Sequence, residues 1–182
     1  MIKGEKVLLR EMRKSDIDYA VRWVNDPEVT QYLMIYPPIS EIAEERWLQN
    51  IGENKGGKFA LFVIEAIEGE TTKPIGNVEL SDINHLAGNA EFGIAIFEKD
   101  HWSNGYGTEA AELIIRYGFE QLNLHRISSF AHAFNERSIR LHRKVGFQEE
   151  GRRRKAYFRN GAYHDEVVFG LLKDEWSALC QA

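Results

Sequence analysis

The sequence predicts an α/β (α+β) fold in which helices flank one mixed, mostly antiparallel sheet. Three observations support this. Several strand patterns follow one another without a helix between them, which favours antiparallel pairing. After Asn104-Gly105 the apolar spacing changes from that of strands to that of a helix. The length of 182 residues fits one domain with a sizeable core, so residues 1–182 are predicted to form a single domain.

The chain begins with one strand and two helices. The short apolar run 7–9 predicts the strand. Ser15 precedes two aspartates, a pattern typical of a helix N-cap, and this helix should end near Asn25, before an Asp-Pro pair. Ser40 predicts the cap of a second helix that ends near Gly52.

The centre of the chain changes from strand to helix periodicity. Runs rich in Phe, Val and Ile predict strands at 59–67, 75–83 and 91–97. From Ala110 to Gly118 apolar residues recur at helical spacing. The remaining elements are a strand at 124–131, a helix capped by Asn135 and stopped by Gly146, and strands at 147–158 and 163–172 joined by Asn160-Gly161.

Composition excludes several classes of protein. Aromatic residues make up 12% of the chain, which excludes intrinsic disorder. The single cysteine, Cys180, cannot build a disulfide framework or a cysteine zinc site, and no histidine spacing suggests a metal. The first six residues lack the apolar segment of a signal peptide, and no run is long enough to span a membrane. A cytoplasmic protein is therefore expected.

Charge is distributed unevenly along the chain. The formal net charge is −5, which is unfavourable for a general nucleic-acid binder. Residues 1–134 carry 13 basic and 21 acidic side chains, a net charge of −8, whereas residues 135–159 carry 9 and 3, a net charge of +6. The basic block indicates either an anionic partner or a solvated helix face. Its run 152–155 is left without an assigned role.

Residues 101–110 form a glycine-containing loop between a strand and a helix. Glycines allow the backbone to approach a ligand closely, and the N–H groups at a helix N-terminus suit phosphate. The pattern also matches Gly-x-Gly-x-x-Ala, but several strands precede it and the next strand, 124–131, has no acidic residue, which argues against a dinucleotide fold. A Gly-Lys-Ser/Thr triplet is missing, so the loop is not a Walker A motif.

The sequence resembles the GNAT superfamily of N-acetyltransferases. Trp102 to Gly107 fit its acetyl-coenzyme A loop, Arg/Gln-x-x-Gly-x-Gly/Ala, with Trp in the first place, a variant similar to the branch of ribosomal-protein N-terminal and spermidine acetyltransferases. Further matches, in order along the chain, are Ala90-Glu91-Phe92-Gly93-Ile94, Leu124-His125-Arg126-Ile127, Asn135-Glu136-Arg137-Ser138, Lys144-Val145-Gly146-Phe147 and Asn160-Gly161-Ala162-Tyr163-His164-Asp165.

The resemblance implies acetyl-coenzyme A as cosubstrate, no metal, and a cleft where strand 91–97 splays from strand 124–131. Backbone groups near Ile96 and Phe97 would bind the pantetheine arm. The side-chain amide of Asn135 would hydrogen-bond to the same arm. One of four basic residues that follow would meet the 3′-phosphate: Arg140 and Arg143, which are named as cofactor contacts, or Arg137 and Lys144. The pyrophosphate loop would comprise Trp102, Ser103, Asn104, Gly105, Tyr106, Gly107 and Thr108.

Acetyl transfer to an amine needs a base for the amine and a proton for the leaving thiolate. Glu91 occupies a strand position where some members of the family keep a glutamate base, and Glu79 on the preceding strand is the lesser candidate. His142 stands where the family usually has its acidic tyrosine. Histidine can donate a proton near neutral pH, and the hydroxyl of Ser138 is its rival.

The N-terminal helices and the last hairpin are expected to select the acceptor. Its candidate contacts are Tyr32, Met34, Trp47, Glu79 and Tyr157. The acidic body favours a cationic acceptor: a protein N-terminal amine first, with a polyamine or other small amine as alternative. A non-catalytic acyl-coenzyme A-binding regulator and a nucleotide-binding module stay open, as does a homodimer. No direct binding to nucleic acid or membrane is expected.

Overall fold

The computed structural model describes residues 1–54 and 56–180. The strands within these residues are β1 (Ile2–Lys3), β2 (Val7–Arg10), β3 (Ala60–Glu68), β4 (Thr71–Asn84), β5 (Asn89–Ile96), β6 (Arg126–His132), β7 (Gln148–Arg159) and β8 (Ala162–Leu172). The helices are α1 (Ile17–Val24), α2 (Pro27–Thr30), α3 (Glu41–Glu53), α4 (Tyr106–Glu120), α5 (Glu136–Lys144) and α6 (Lys173–Leu179). Among the helices so described, none is both long and apolar enough to cross a bilayer.

The strands form one sheet in the order β1-β2-β3-β4-β5-β6-β8-β7. Neighbouring strands are antiparallel throughout except for β5 and β6, which are parallel. This arrangement confirms the mixed, mostly antiparallel sheet.

Helix α4 packs on one face of the sheet and forms the main core with it. Ile114 and Phe119 of α4 are fully buried in one cluster with Val78 and Leu80 of β4. The helix lies so close that a Cβ atom at Gly118 would be 2.9 Å from Leu80 Cδ1. Because side chains alternate along a strand, the residues of β4 between these apolar ones face the opposite side of the sheet.

The opposite face is partly covered by α1 and α3, which pack together. Trp23 of α1 stacks on Phe97, just beyond β5, with ring centroids 4.8 Å apart. These two residues and Val29 form a second, smaller buried cluster. The rest of this face stays uncovered and holds the site described below.

Strands β5 and β6 are paired over only three residues. The pairs run from Asn89 with Arg126 to Glu91 with Ser128, and beyond them the strands diverge. Both strands continue, β5 to Ile96 and β6 to His132. The divergence opens a gap in the middle of the sheet, which confirms the splayed strands expected from the resemblance.

The caps show where local sequence predicted structure well and where it did not. Ser40 accepts a hydrogen bond from Ala43 N–H, and Asn135 from Ser138 N–H, so both predicted caps are confirmed. The cap at Ser15 is wrong. Ser15 lies inside a short 3₁₀ turn, and the Asp16 carboxylate accepts the hydrogen bond from Arg13 N–H. The sequence reading also missed β1, α2 and α6, all seven residues or shorter.

A buried ion network attaches the turn before α1 to the sheet. Arg10 of β2 donates two hydrogen bonds to Asp16, at 2.7 and 2.8 Å, and one to Glu65 of β3, at 2.6 Å. All three residues are at most 9% exposed. The bidentate geometry, with its fork of donors facing two carboxylate oxygens, is the arrangement that Arg favours for buried pairs.

Candidate active site

A cleft of about 940 Å³ lies at the gap between β5 and β6. Its walls are the two diverging strands, the loop before α4, the N-terminal part of α5, and residues of α1, α2 and α3. The parallel strands separate here because each turns toward its own antiparallel neighbour, β4 or β8. A cleft formed in this way presents unpaired backbone groups as well as side chains.

The backbone of β5 offers the cleft a hydrogen-bonding edge centred on Ile94. Phe97 N–H donates to Ile75 O on the β4 side, and the register alternates from there, so Ile94 directs its backbone groups toward the gap. The carbonyl of Ile96 already accepts a bond of 2.6 Å from Trp102 Nε1. Ile96 and Phe97 both line the cleft. The backbone of Ile96, two residues from Ile94, faces the gap as well, whereas Phe97 N–H bonds to the β4 side.

The loop before α4 brings part of the predicted phosphate site to the cleft. Ser103, Gly105, Gly107 and Thr108 line it. Gly105 has a φ of +91°, which favours glycine, and it forms the N-cap of α4. At Gly107 a Cβ atom would be 3.2 Å from Leu141 Cδ1, so this glycine lets α4 approach α5.

The two other loop residues, Asn104 and Tyr106, are not part of the cleft lining, and their backbone N–H groups stay predicted phosphate contacts. The Asn104 amide donates to Asp100 O, and its carbonyl accepts from Lys6 Nζ. The Tyr106 ring packs against His101 with centroids 5.1 Å apart. The Asn104 side chain is thus held at the exposed surface of the loop, and the Tyr106 ring is half-buried beside it.

Trp102 and α5 meet across the cleft. The Arg137 guanidinium lies 3.7 Å from the Trp102 ring centroid and 5.3 Å from that of Tyr32. Arginine stacks favourably on aromatic faces. Trp102 therefore positions a cation from α5 over the loop, a role that the loop motif alone did not indicate.

Three of the four candidate cations of α5 line the cleft beside the loop, and Arg143 does not. Arg137, Arg140 and Lys144 line the cleft from one face of α5. Lys144 has no hydrogen bond or ion pair with any residue in 1–54 or 56–180. Arg143 does not line the cleft, because it pairs with Glu149 at 3.0 Å on the outer side of the helix. Asn135 combines both expected positions: it caps α5 and lines the cleft.

Acidic side chains line the other part of the cleft. Glu79 stands opposite Gly93 in the β4–β5 pairing, and Glu91 opposite Ser81, so both carboxylates share the uncovered face of the sheet. A Cβ atom at Gly93 would be 3.1 Å from Glu79 Oε1, so the glycine makes room for this carboxylate. The described residues contain no cluster of His, Cys, Asp and Glu side chains arranged to hold a metal ion.

The pKa values of both carboxylates are raised. Burial raises the pKa of Glu79, and the neighbouring charges of Glu91 and Asp82 raise it further. Burial also raises the pKa of Glu91; Asp82 adds to this effect and Arg153 opposes it. A carboxylate with a raised pKa is a stronger base, which suits proton acceptance near neutral pH.

His142 is buried at the floor of the cleft, with 2% of its surface exposed. Its Nδ1 donates to Ser138 O at 2.7 Å, and its Nε2 lies 2.8 Å from the Ser129 hydroxyl oxygen. The ring stacks on Phe169 with centroids 4.6 Å apart. Burial lowers the pKa of His142, and the bond to Ser138 only partly compensates. Ser138 lines the cleft as well, with its hydroxyl 3.4 Å from Nδ1.

Three of the predicted acceptor contacts beyond Glu79 line the cleft: Tyr32, Met34 and Trp47. Tyr157 does not. It is 3% exposed, its hydroxyl donates to Leu33 O at 2.7 Å, and its ring stacks on His132 at 3.9 Å. Tyr157 thus supports the cleft wall from behind.

Sequence reasoning missed His132 and Glu44, which both line the cleft. Burial lowers the pKa of His132 to about 4, with the charge of Arg159 adding to the effect, so this imidazole is neutral at pH 7. For Glu44 a signal existed: it precedes Trp47 by three residues, which places both on one face of the helix.

The comparisons with known proteins agree with this geometry. Residues 6–148 match the family described as acetyltransferase (GNAT) domain. The chain is 33% identical to the uncharacterized N-acetyltransferase p20 of Bacillus licheniformis over 95% of this chain and 96% of that protein. It is 30% identical to the spermidine N(1)-acetyltransferase of Escherichia coli K12 over 98% of this chain and 92% of that protein.

A solved structure extends the agreement to the fold. The spermidine N-acetyltransferase of Vibrio cholerae, in complex with CoA and spermine, superposes with a TM-score of 0.85 and 27% identity, covering 96% of this chain and 99% of the other. The matched family, the relatives and the splayed sheet with its glycine loop all lead to one conclusion: the chain belongs to the GNAT family of acetyl-coenzyme A-dependent N-acetyltransferases.

Proposed function

We propose that this chain, acting as one N-acetyltransferase domain, acetylates a primary amine of a small polycationic acceptor, by direct transfer while both substrates are bound. The observation that carries the proposal is the set of three carboxylates, Glu44, Glu79 and Glu91, on the acceptor part of the cleft. Such a lining attracts amines and repels anions. The spermidine acetyltransferase of Escherichia coli supports the same acceptor class.

Acetyl-coenzyme A supplies the acetyl group, and the remaining cleft residues fit its chemistry. The backbone of Ile94 would bind the pantetheine amides as an added strand binds a sheet edge. Backbone N–H groups of Ser103, Gly105 and Gly107 would hold the pyrophosphate at the N-terminus of α4. Lys144 and Arg140 would contact the remaining phosphate.

Glu91 would accept the proton of the acceptor ammonium, either directly or through a water molecule. For the leaving thiolate, the Ser138 hydroxyl is the proposed proton donor, and solvent water would return a proton to the Ser138 oxygen in the same step. Both nitrogens of His142 are engaged by protein atoms and its ring is buried, which supports a positioning role for His142 behind Ser138. The sequence favoured His142 over Ser138 as the proton donor, and the proposal assigns this role to Ser138 instead.

A mass-spectrometric acetylation screen tests the acceptor class. Purified protein and acetyl-coenzyme A are incubated with spermidine, diamines, aminoglycosides and ribosomal-protein N-terminal peptides. We expect polyamines to give the highest kcat/KM. Preferred acetylation of a peptide N-terminus would overturn the polyamine assignment and return the acceptor to the protein N-terminal class.

Replacing Lys144 with glutamine should raise KM for acetyl-coenzyme A by about tenfold, since a charge-assisted hydrogen bond to phosphate is removed. The KM for the amine should stay the same. Arg143→Gln is the matched control, because it removes a like charge from the same helix outside the cleft. Steady-state kinetics check both. If both variants raise KM for acetyl-coenzyme A equally, the cosubstrate responds to the total positive charge of α5 and not to a specific contact with Lys144.

Replacing Ser138 with alanine should lower kcat by about tenfold with little change in either KM, because the thiolate loses its proton donor. The control is Ser177→Ala, which removes a hydroxyl on α6 that donates to Lys173 O. Single-turnover kinetics isolate the chemical step. If His142→Gln, folded to the same extent, loses more turnover than Ser138→Ala, the donor is His142 instead.

A further inference from the structure

Glu44 is a buried carboxylate without a protein partner. It is 8% exposed and is the only buried residue of α3, while its neighbours Glu41 and Glu45 are exposed. In the part of the chain that the structure describes, no hydrogen bond or ion pair reaches its carboxylate. Burial alone raises its pKa, with no opposing contribution from a cation.

Such a residue works against the stability of the free protein. Reducing the hydration of a carboxylate without giving it a partner is unfavourable, and the Glu44 oxygens keep only the solvent contact that the cleft provides. Val24, Trp47 and Phe97 line the small cavity beside Glu44, together with the polar residues Asp16 and Asn77. A carboxylate that costs stability and faces a cleft is therefore expected to have its partner in a ligand.

Its position relative to the proposed base defines what that ligand must look like. Glu44 and Asn77 line both the cleft and a small inner cavity of about 20 Å³ behind it. Glu79 follows Asn77 by two residues on the same face of β4, which places their Cα atoms about 6.6 Å apart. Glu44 thus lies beyond Glu79, on the side away from Glu91.

We propose that Glu44 binds the second ammonium group of the acceptor and thereby selects diamines and polyamines over monoamines. The reacting amine would lie near Glu91, and an alkyl chain of a few carbons would lead past Glu79 to Glu44. The Trp47 ring beside Glu44 can pack against the chain or face the cation. This inference rests on the proposed function and adds the residue that sets its specificity.

The test compares acceptors that differ only in the second charge. Steady-state kinetics are measured with 1,4-diaminobutane, spermidine and butylamine for the unaltered protein, Glu44→Gln and Glu45→Gln. Glu44→Gln should raise KM for both multivalent amines by about tenfold, with kcat within twofold and no change for butylamine. Glu45→Gln, the same substitution on the exposed neighbour, should leave all three acceptors unchanged.

Several outcomes would overturn the inference. If Glu44→Gln raises KM equally for butylamine and spermidine, or for neither, Glu44 does not bind a second ammonium. The melting temperature of Glu44→Gln should equal or exceed that of the unaltered protein, because an unpaired buried charge is removed. A large decrease would reveal a structural role in its place.

Binding separates this inference from the proposed function. If no amine is acetylated, calorimetric titration of spermidine into the coenzyme A-loaded protein still measures the Glu44 site. Tighter binding of spermidine than butylamine, lost in Glu44→Gln, would uphold the Glu44 site while the catalytic proposal fails. Equal binding by both proteins would reject the site.

Discussion

Replacing Glu91 with glutamine is expected to lower kcat at pH 7 by about 100-fold, the lower range for loss of a general base. An aliphatic amine is mostly protonated at this pH, and glutamine cannot accept its proton. Turnover should recover partly at higher pH, where the free amine becomes more abundant. Because the substitution keeps size and hydrogen-bonding shape, the KM for acetyl-coenzyme A should stay unchanged. The pH dependence of kcat for both proteins measures these effects.

The pH profile gives a second, independent readout. A base must be ionised, so turnover of the unaltered protein should fall as pH decreases through the raised pKa of Glu91. Besides burial, the charges of Asp82 and Glu166 raise this pKa and that of Arg153 lowers it. Asp82→Asn should therefore move the acidic limb to lower pH, and Arg153→Gln should move it to higher pH. Shifts in the same direction would contradict the assignment.

Glu79 is the alternative base and serves as the comparison. Glu79 lies on the same face of the sheet as Glu91, and its pKa is raised as well. Glu79→Gln should reduce turnover less than Glu91→Gln, because Glu79 lies two residues along β4 from the position opposite Glu91, on the side toward Glu44. A larger loss in Glu79→Gln would transfer the role of base to Glu79. Full activity of Glu91→Gln at pH 7 would exclude Glu91 altogether.

The cosubstrate part of the cleft could be predicted from sequence because its determinants are local. Gly105 is needed for a positive φ within a few residues of the helix it starts, and Asn135 caps the helix that follows it. Both requirements involve neighbours in the chain. The hairpin at Asn160-Gly161 could be predicted for the same reason, because its turn depends on two neighbouring residues that both have a positive φ.

The acceptor part could be predicted only in part, because tertiary packing decides which side chains reach it. Tyr157 has suitable chemistry, but its ring is buried against His132. Glu44 becomes notable only when the fold buries it without a partner. Burial and pairing depend on distant segments, and no local pattern reports them.

Replacing Asp16 with alanine is expected to destabilise the protein by about 3 kcal/mol, the lower range for breaking a buried ion pair. Arg10 would lose both bonds to Asp16 and keep those to Glu65 and to the Glu11 carbonyl, and Arg13 N–H would lose its acceptor. Urea unfolding measures the change. Asp18→Ala removes an exposed acid two residues later in the same segment and should change stability by about 0.5 kcal/mol or less.

The stability difference should depend on pH with a defined sign. Burial tends to raise the pKa of Asp16, but the hydrogen bonds from Arg10 and from Arg13 N–H outweigh it, so the pKa of the folded protein is lowered. A carboxylate with a lowered pKa stabilises the fold above its ordinary pKa and loses this effect as pH falls through the lowered value. The difference in the free energy of unfolding between Asp16→Ala and the unaltered protein should therefore become smaller as the pH is lowered. A difference independent of pH would indicate that lost packing, and not charge, causes the destabilisation.

Asp16→Ala also separates stability from catalysis. The ion network precedes α1, whose Trp23 stacks on Phe97 in the wall near Glu44. Asp16 lines the same small cavity as Glu44, but among the described residues no hydrogen bond or ion pair joins the network to the carboxylates proposed to bind or deprotonate the acceptor. Below its unfolding transition, Asp16→Ala should therefore keep kcat within about threefold of the unaltered protein while its melting temperature falls. A loss of kcat comparable to that of Glu91→Gln in fully folded protein would mean that the position of α1 controls the chemical step.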